Sequence, residues 1–268
     1  MMKLRRVLVR GGGDLASGVV ACLHRAGWQV VVAELAQPLV VRRKVAFASA
    51  VYEGSARVEE IVAQHIKQVD NLKNHDFEKS IPVIVDPDLI VLNGITFIAI
   101  IDARMLKSRF YDDNPRHYPL IGLGPSFEAG LNCDVVIETN RGANLGKVIW
   151  KGKPEEATGE PAKVNGISYD RVLYAPVAGV VKQWVAISES VDKDQLVATV
   201  GDVGVYTKIK GVVRGLIQDG IHIPKGTKIA DIDPRNEIER CFKISDKAII
   251  IGLSTLKALE AIYWNDME

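Results

Sequence analysis

The stretch "RRVLVRGGGDLASGVV", residues 5–20, decides how the fold is read. An apolar run enters three consecutive glycines and leaves into a segment whose apolar residues recur at helical spacing. Leu15, Val19, Cys22, Leu23 and Ala26 share one face, Gly27 closes the helix, and "WQVVVAEL" (28–35) resumes as a strand. The pattern predicts a βαβ unit. Within it, G-x-G-x-x-A falls on Gly11, Gly13 and Ala16, and Glu34 ends the second strand 21 residues beyond Gly13. A dinucleotide cradle needs those residue types in that order. Glycines turn the chain and let the backbone approach a pyrophosphate, helix amides meet the charge, and an acid accepts ribose hydroxyls. Asp14, however, stands where the phosphate should sit. Two readings stay open: a nucleotide-type site built from Gly11, Gly12, Gly13, Asp14, Leu15, Ala16 and Glu34, or a bare glycine turn with Asp14 as side-chain N-cap, worth about 1 kcal/mol.

Further short apolar runs follow: "IPVIVD" (81–86), "TFIAIID" (96–102), "YPLIGLG" (118–124) and "CDVVIET" (133–139). Their length and Val/Ile content predict strands buried on both faces of a parallel sheet. Residues 51–80 between them predict a turn, an amphipathic helix and a polar loop. Ligand contacts in such a sheet gather at the carboxyl ends of the strands. Three of these ends carry Arg104 and Lys107, then the glycine turn around Gly124, then Asn140 and Arg141. Together they suit phosphates or carboxylates. A solvated basic loop is the competing reading.

After a connection rich in Gly, Pro and charge (151–171) the pattern changes. "GVVKQWVAISESVDKDQLVATVGD" (179–202) aligns without gaps on "GVVRGLIQDGIHIPKGTKIADIDP" (211–234), a shift of 32 residues. Two short β layers of one design are expected, since neither could bury its apolar side alone. With "APVAGVV" (175–181), this part resembles the barrel-sandwich hybrid of biotinyl and lipoyl carrier domains. The hairpin between the halves, "VGDVGVY" (200–206), has no lysine, so no attached biotin or lipoate is expected. The fold class expected is therefore α/β: a Rossmann-like, mostly parallel sheet over residues 1–150 and an all-β barrel-sandwich hybrid over 172–236. Residues 237–268 would add a strand (248–251) and a helix returning to the first domain.

Composition narrows the function. With 34 basic and 33 acidic side chains the formal charge is +1, which argues against nucleic acid or an anionic membrane as partner. The N-terminus shows no signal-peptide pattern and the three cysteines form no CxxC pair, so a reducing cytoplasm is expected. The five histidines show neither HExxH nor Cys/His spacing, so no metal site is expected, and there is no G-x-S-x-G turn for a serine nucleophile.

The blocks "GGGDLASG" (11–18), "CDVVIETNRG" (133–142) and "DIDPR" (231–235), within a match running nearly end to end, resemble the YqeB-type proteins of the selenium-dependent molybdenum hydroxylase system. The first domain is similar to the Rossmann-type half of XdhC-like maturation proteins. Ser126 and Ala143 depart from that pattern, which has glycine and histidine at those places. The resemblance implies an accessory or maturation factor with hydroxylase subunits and other maturation proteins as partners, and leaves a homo-oligomer open. It implies a nucleotide-type ligand, a molybdopterin dinucleotide or NAD(P). An NAD(P)-dependent oxidoreductase and a non-enzymatic scaffold for the hydroxylase are the alternatives, the first because "LVVRRKVAF" (39–47) resembles precorrin dehydrogenases.

Overall fold

A computed structural model describes residues 4–106 and 117–265. The chain divides into two compact units: Met1–Pro38, Phe47–Thr158 and Ile244–Glu268 form one, Leu39–Ala46 and Gly159–Lys243 the other.

The first unit is built on a nine-stranded sheet. Its strands are β1 (Arg6–Arg10), β2 (Gln29–Glu34), β3 (Ser55–Val58), β4 (Ile61–His65), β5 (Ile81–Val85), β6 (Ala99–Asp102), β7 (Leu120–Leu123), β8 (Val135–Ile137) and β9 (Val148–Ile149). They lie in the order β3-β4-β5-β2-β1-β6-β7-β8-β9. Pairing from β4 to β8 is parallel, while β3 and β9 add antiparallel edges. The chain leaves β1 towards β2 and later returns from β5 to β6 on the other side of β1, so the connections diverge at the carboxyl ends of β1 and β6.

Leu8, Val31, Ala33, Ile84, Val91 and Phe97 form one part of the core, and Leu120, Phe127, Cys133 and Val136 another. A Cβ at Gly122 would lie 2.2 Å from Cγ of Phe127, so the Phe127 ring occupies the place a β7 side chain would need. Two helices cross closely, α1 (Asp14–Arg25) and α3 (Asp246–Asn265), with the one-turn α2 (Ala50–Glu53) between them in sequence. Side chains at Gly18 and Gly252 would collide with Ala248 and with the Gly18 carbonyl, both at 2.6 Å.

Three expectations are corrected here. Residues 51–80 hold the β3–β4 hairpin where an amphipathic helix was expected. Glu59, at φ 54, makes the tight turn, and along β4 the buried Ile61 and Ala63 recur at the two-residue period of a strand. The strand expected at 248–251 is helical: Ser245 Oγ accepts the Ala248 N–H at 3.2 Å, and Ala248 and Ile251 are buried while Ile250 is exposed. The fold class also changes. The molecule is mixed α/β, with a large mostly parallel sheet closed by antiparallel edges and two further antiparallel sheets; it is not a Rossmann-like domain joined to a biotinyl-type barrel. Apolar runs report that a segment is a buried strand, but not which neighbour it pairs with or whether a helix covers the crossover.

The second unit contains β10 (Val172–Tyr174), β11 (Gly179–Gln183), β12 (Ser190–Val191), β13 (Leu196–Val200), β14 (Val203–Tyr206), β15 (Gly211–Leu216), β16 (His222–Ile223) and β17 (Lys228–Asp233). They form two four-stranded sheets, β10-β17-β15-β12 and β14-β13-β11-β16. The 32-residue shift carries β11, β12 and β13 onto β15, β16 and β17. Each half lends its two-residue strand to the other half's sheet, through the β12–β15 and β11–β16 pairs.

Candidate functional site

The glycine turn after β1 is held by the chain itself. Gly11 (φ +97) donates its N–H to the Ala33 carbonyl at 2.8 Å, and a Cβ there would press on Ala103 and Arg104 backbone at 3.4 Å. The Gly12 N–H donates to Glu34 Oε2 at 2.7 Å, and its carbonyl accepts the Ala48 N–H at 2.9 Å and the Ser17 hydroxyl at 3.2 Å. A side chain at Gly12 would reach the Ala48 nitrogen at 2.9 Å. The chain's own packing therefore accounts for these two glycines. Buried Ser17 also accepts the Phe47 N–H at 2.9 Å, which rivets the turn to residues 47–48; sequence reading missed it.

Gly13 is the N-cap of α1, in extended conformation and with no side-chain cap bond. Asp14 is thus the first helical residue, and the reading of it as a side-chain N-cap is corrected. A carboxylate in the first turn still complements the helix dipole. Helix geometry leaves the first-turn N–H groups of Gly13 to Ala16 without intrahelical acceptors, so this end of α1, directly after β1, offers backbone donors. Leu15 is half-buried and Ala16 buried against the sheet. Glu34 anchors the turn: its two oxygens accept the Gly12 and Leu35 N–H groups, each at 2.7 Å. Burial pushes its carboxyl up, against the pull of those two bonds. A carboxylate has about four acceptor positions, so a ribose hydroxyl could still share it.

The neighbouring strand ends bring more charge. Asp102, buried at the end of β6, is clamped by Arg104, whose Nε donates at 3.0 and 3.1 Å and Nη2 at 2.6 Å; Arg10 stands 3.9 Å away. Arg104 is therefore committed to the protein. Gly124 (φ +88), after β7, abuts Met105 and the Thr139 hydroxyl, which joins the ends of β6, β7 and β8. Lys107 lies outside the described residues. Past β8, buried Glu138 accepts the N–H groups of Asn140 at 2.6 Å and Glu155 at 2.7 Å, while the Asn140 amide donates to Glu155 Oε2 at 3.1 Å. Arg141 forms a two-bond pair with Asp246, at 3.0 and 3.1 Å, in the first turn of α3. Both partners are exposed, so the pair contributes about 0 to 1 kcal/mol and is readily exchanged for a ligand anion.

Next to Asp246 is Lys247, a residue sequence reading did not single out. Burial pushes its ammonium pKa down and Arg141 acts the same way, while the charges of Asp14, Glu138 and Asp246 oppose. The half-buried amine thus lies within electrostatic reach of the α1 start, the β8 end and the α3 start. One signal was available in sequence. In "ISDKA" (244–248), Ser245 caps a helix and places a lysine in its first turn, against the dipole. Reading 248–251 as a strand hid that helix start.

Among the described residues no group of three or more His, Cys, Asp or Glu side chains is placed to hold a metal ion. Cys22, Cys133 and Cys241 are buried and in no disulfide. Burial pushes the Cys22 and Cys241 thiols up, away from a reactive thiolate. No described helix is long and apolar enough to cross a membrane.

No family model matches the chain. It is 38% identical over 253 residues to "Uncharacterized protein YqeB" of Escherichia coli strain K12, which covers 94% of this chain and 47% of that protein. The chain is YqeB-like. It spans about half the length of YqeB, so the activity and partners of the whole of YqeB do not pass to it directly. Among solved structures, the apo ectoine utilization protein EutE (DoeB) of Ruegeria pomeroyi is 12% identical, with 84% of this chain and 85% of that one covered at a TM-score of 0.27. An aspartoacylase family protein of Mesorhizobium loti is 9% identical, covering 85% and 84% at a TM-score of 0.28. At those scores nothing of their chemistry is carried over to the YqeB-like chain.

Proposed function

We propose that the YqeB-like chain is an accessory factor for a selenium-dependent molybdenum hydroxylase, and that it binds a nucleotide-type anion where β1, β6, β7 and β8 end. One observation carries the ligand-binding part: Lys247 and the exchangeable Arg141–Asp246 pair meet the start of α1 at the divergence of the strand connections. The residues fit such a group in part. Gly13 to Ala16 offer first-turn donors, Lys247 and Arg141 supply positive charge, and Glu34 keeps acceptor capacity for a hydroxyl. Gly11 and Gly12 serve the chain's own packing and Arg104 its own carboxylate. The pathway assignment rests on the sequence resemblance to the YqeB-type system.

Calorimetric titration tests the site. NAD, NADP and a molybdopterin dinucleotide are each titrated into the wild type, Lys247→Ala and Arg141→Ala. The expected result is saturable heat from at least one nucleotide, with binding about tenfold weaker in Lys247→Ala and less affected in Arg141→Ala. No heat from any of them, or equal affinity in Lys247→Ala, would overturn the reading.

A further inference from the structure

Farther along α3 lies a cavity, with a volume of about 480 Å³, lined by Gly146, Lys147, Val148, Trp150, Ser254, Lys257, Ala258 and Ala261. That volume is within the roughly 300–1,000 Å³ range of small-molecule sites. Its residues on α3 fall 7 to 14 positions beyond Lys247, on the order of 10 to 20 Å along the helix at 1.5 Å per residue. It is therefore separate from the crevice described above.

Its lining is chemically divided. On α3, Ser254, Ala258 and Ala261 recur at helical spacing and present only small side chains. From β9 and the residue after it come Val148 and Trp150, the latter with 51% of its surface exposed. The chain holds the two sides close: at Gly146 (φ +80) a Cβ would meet Ile250 Cγ2 at 2.7 Å and Ser254 Oγ at 2.8 Å. The exposed half of the Trp150 indole leaves part of a large aromatic surface open in the lining. Lys147 and Lys257 are exposed in the same lining, and among the described residues neither joins an ion pair.

We propose that this cavity binds a planar aromatic molecule carrying a phosphate or carboxylate. The ring stacks on the exposed part of Trp150, and the anion is met by Lys147 and Lys257. Stacking on an exposed indole tolerates many ring types, because every aromatic ring has a π face. The two lysines supply the discrimination between a charged ligand and its neutral counterpart.

The test uses flavin mononucleotide and riboflavin, which share a ring and differ by the phosphate. Titration of the full chain, followed by flavin fluorescence, is expected to give saturable binding of flavin mononucleotide and about tenfold weaker binding of riboflavin. In the double variant Lys147→Ala/Lys257→Ala the two ligands become equal, and in Trp150→Ala both weaken about tenfold or more. The titrations are repeated in the Lys247→Ala background, so that flavin mononucleotide held at the other site is separated from flavin held in this cavity. Far-UV circular dichroism confirms that each variant is folded, and Trp150→Phe, which retains an aromatic face, is expected to recover most of the binding. The proposal is overturned by any of three outcomes: no saturable binding of flavin mononucleotide, undiminished binding in Trp150→Ala, or a phosphate preference that survives loss of both lysines.

Discussion

Two strand ends, one in each unit, carry the same device in different settings. At the end of β6, Asp102 is gripped by Arg104, with Arg10 from the neighbouring strand 3.9 Å away; at the end of β17, Asp233 is gripped by Arg235, with Arg214 from the neighbouring strand 3.7 Å away. In both, the arginine two residues on donates Nη2 to Oδ2, at 2.6 and 2.5 Å, and the carboxylate is buried. One sheet is parallel there and the other antiparallel. Asp-x-Arg at a strand end is thus a local clamp that does not depend on the pairing direction. The difference lies in the second arginine. Arg10 donates to the Pro87 carbonyl at 2.8 Å, while Arg214 has a buried Nε with no hydrogen-bond partner, and burial, followed by Arg42, lowers its pKa. The β17 clamp therefore concentrates more unrelieved positive charge than its counterpart.

The largest effect expected comes from removing either carboxylate. Asp233→Ala leaves the partly buried Arg214 and Arg235 facing each other without their shared carboxylate and is expected to destabilise the protein by about 3 kcal/mol in urea unfolding. Asp102→Ala should cost less, since Arg10 retains Pro87; equal losses would break the comparison. Next, acid should read the β17 clamp. Burial pushes the Asp233 carboxyl up, but Arg235 and Arg214 outweigh it and hold the group below its usual value. A depressed folded pKa contributes stability that is fully present above the unfolded value, near 3.9, and is lost as pH falls through the folded one. Asp233→Asn is therefore expected to lower stability at pH 7 and to flatten the decline below about pH 4.

A smaller effect is expected from Arg235→Lys and Arg104→Lys. Each loses the forked contact while keeping the charge, at a cost of about 1–2 kcal/mol by thermal unfolding. At the crevice, Asp14→Asn removes one of the charges that hold the Lys247 pKa up, so that amine should titrate still lower. Reaction rate with an amine-acylating reagent against pH measures the shift, and an upward shift would count against the cluster. The smallest change is expected from Ser126→Ala. The Ser126 hydroxyl is buried without a hydrogen-bond partner, and its removal should raise stability by about 1 kcal/mol.

Much of this was legible in residues 5–35. Apolar spacing located β1, α1 and β2, and the glycine run located the turn, because these features depend on neighbours a few residues away. The gapless 32-residue repeat likewise located the paired strands of the second unit. What it could not show was the exchange of β12 and β16 between sheets, which depends on pairings across the unit. The β3–β4 hairpin was read as a helix because "RVEEIVAQHIKQV" (57–69) satisfies both periods over a short run, and the turn at Glu59 and the antiparallel pairing it allows separate them. In the candidate site, Glu34 and Arg141 were placed by strand ends, yet their partners, Gly12 and Asp246, were not visible. Lys247 was missed altogether.

By itself, then, the sequence determined where the chain turns, which segments are apolar enough to be strands, and which ends carry charge, all consequences of local spacing and composition. Tertiary structure alone decided that Gly11 and Gly12 are held by the chain's own contacts, that Arg104 pairs with Asp102, and that Lys247 joins Asp14, Glu138 and Arg141. The physical reason is that a charged group's role is set by what neutralises it. That partner can lie 105 residues away in the chain, as Asp246 does from Arg141.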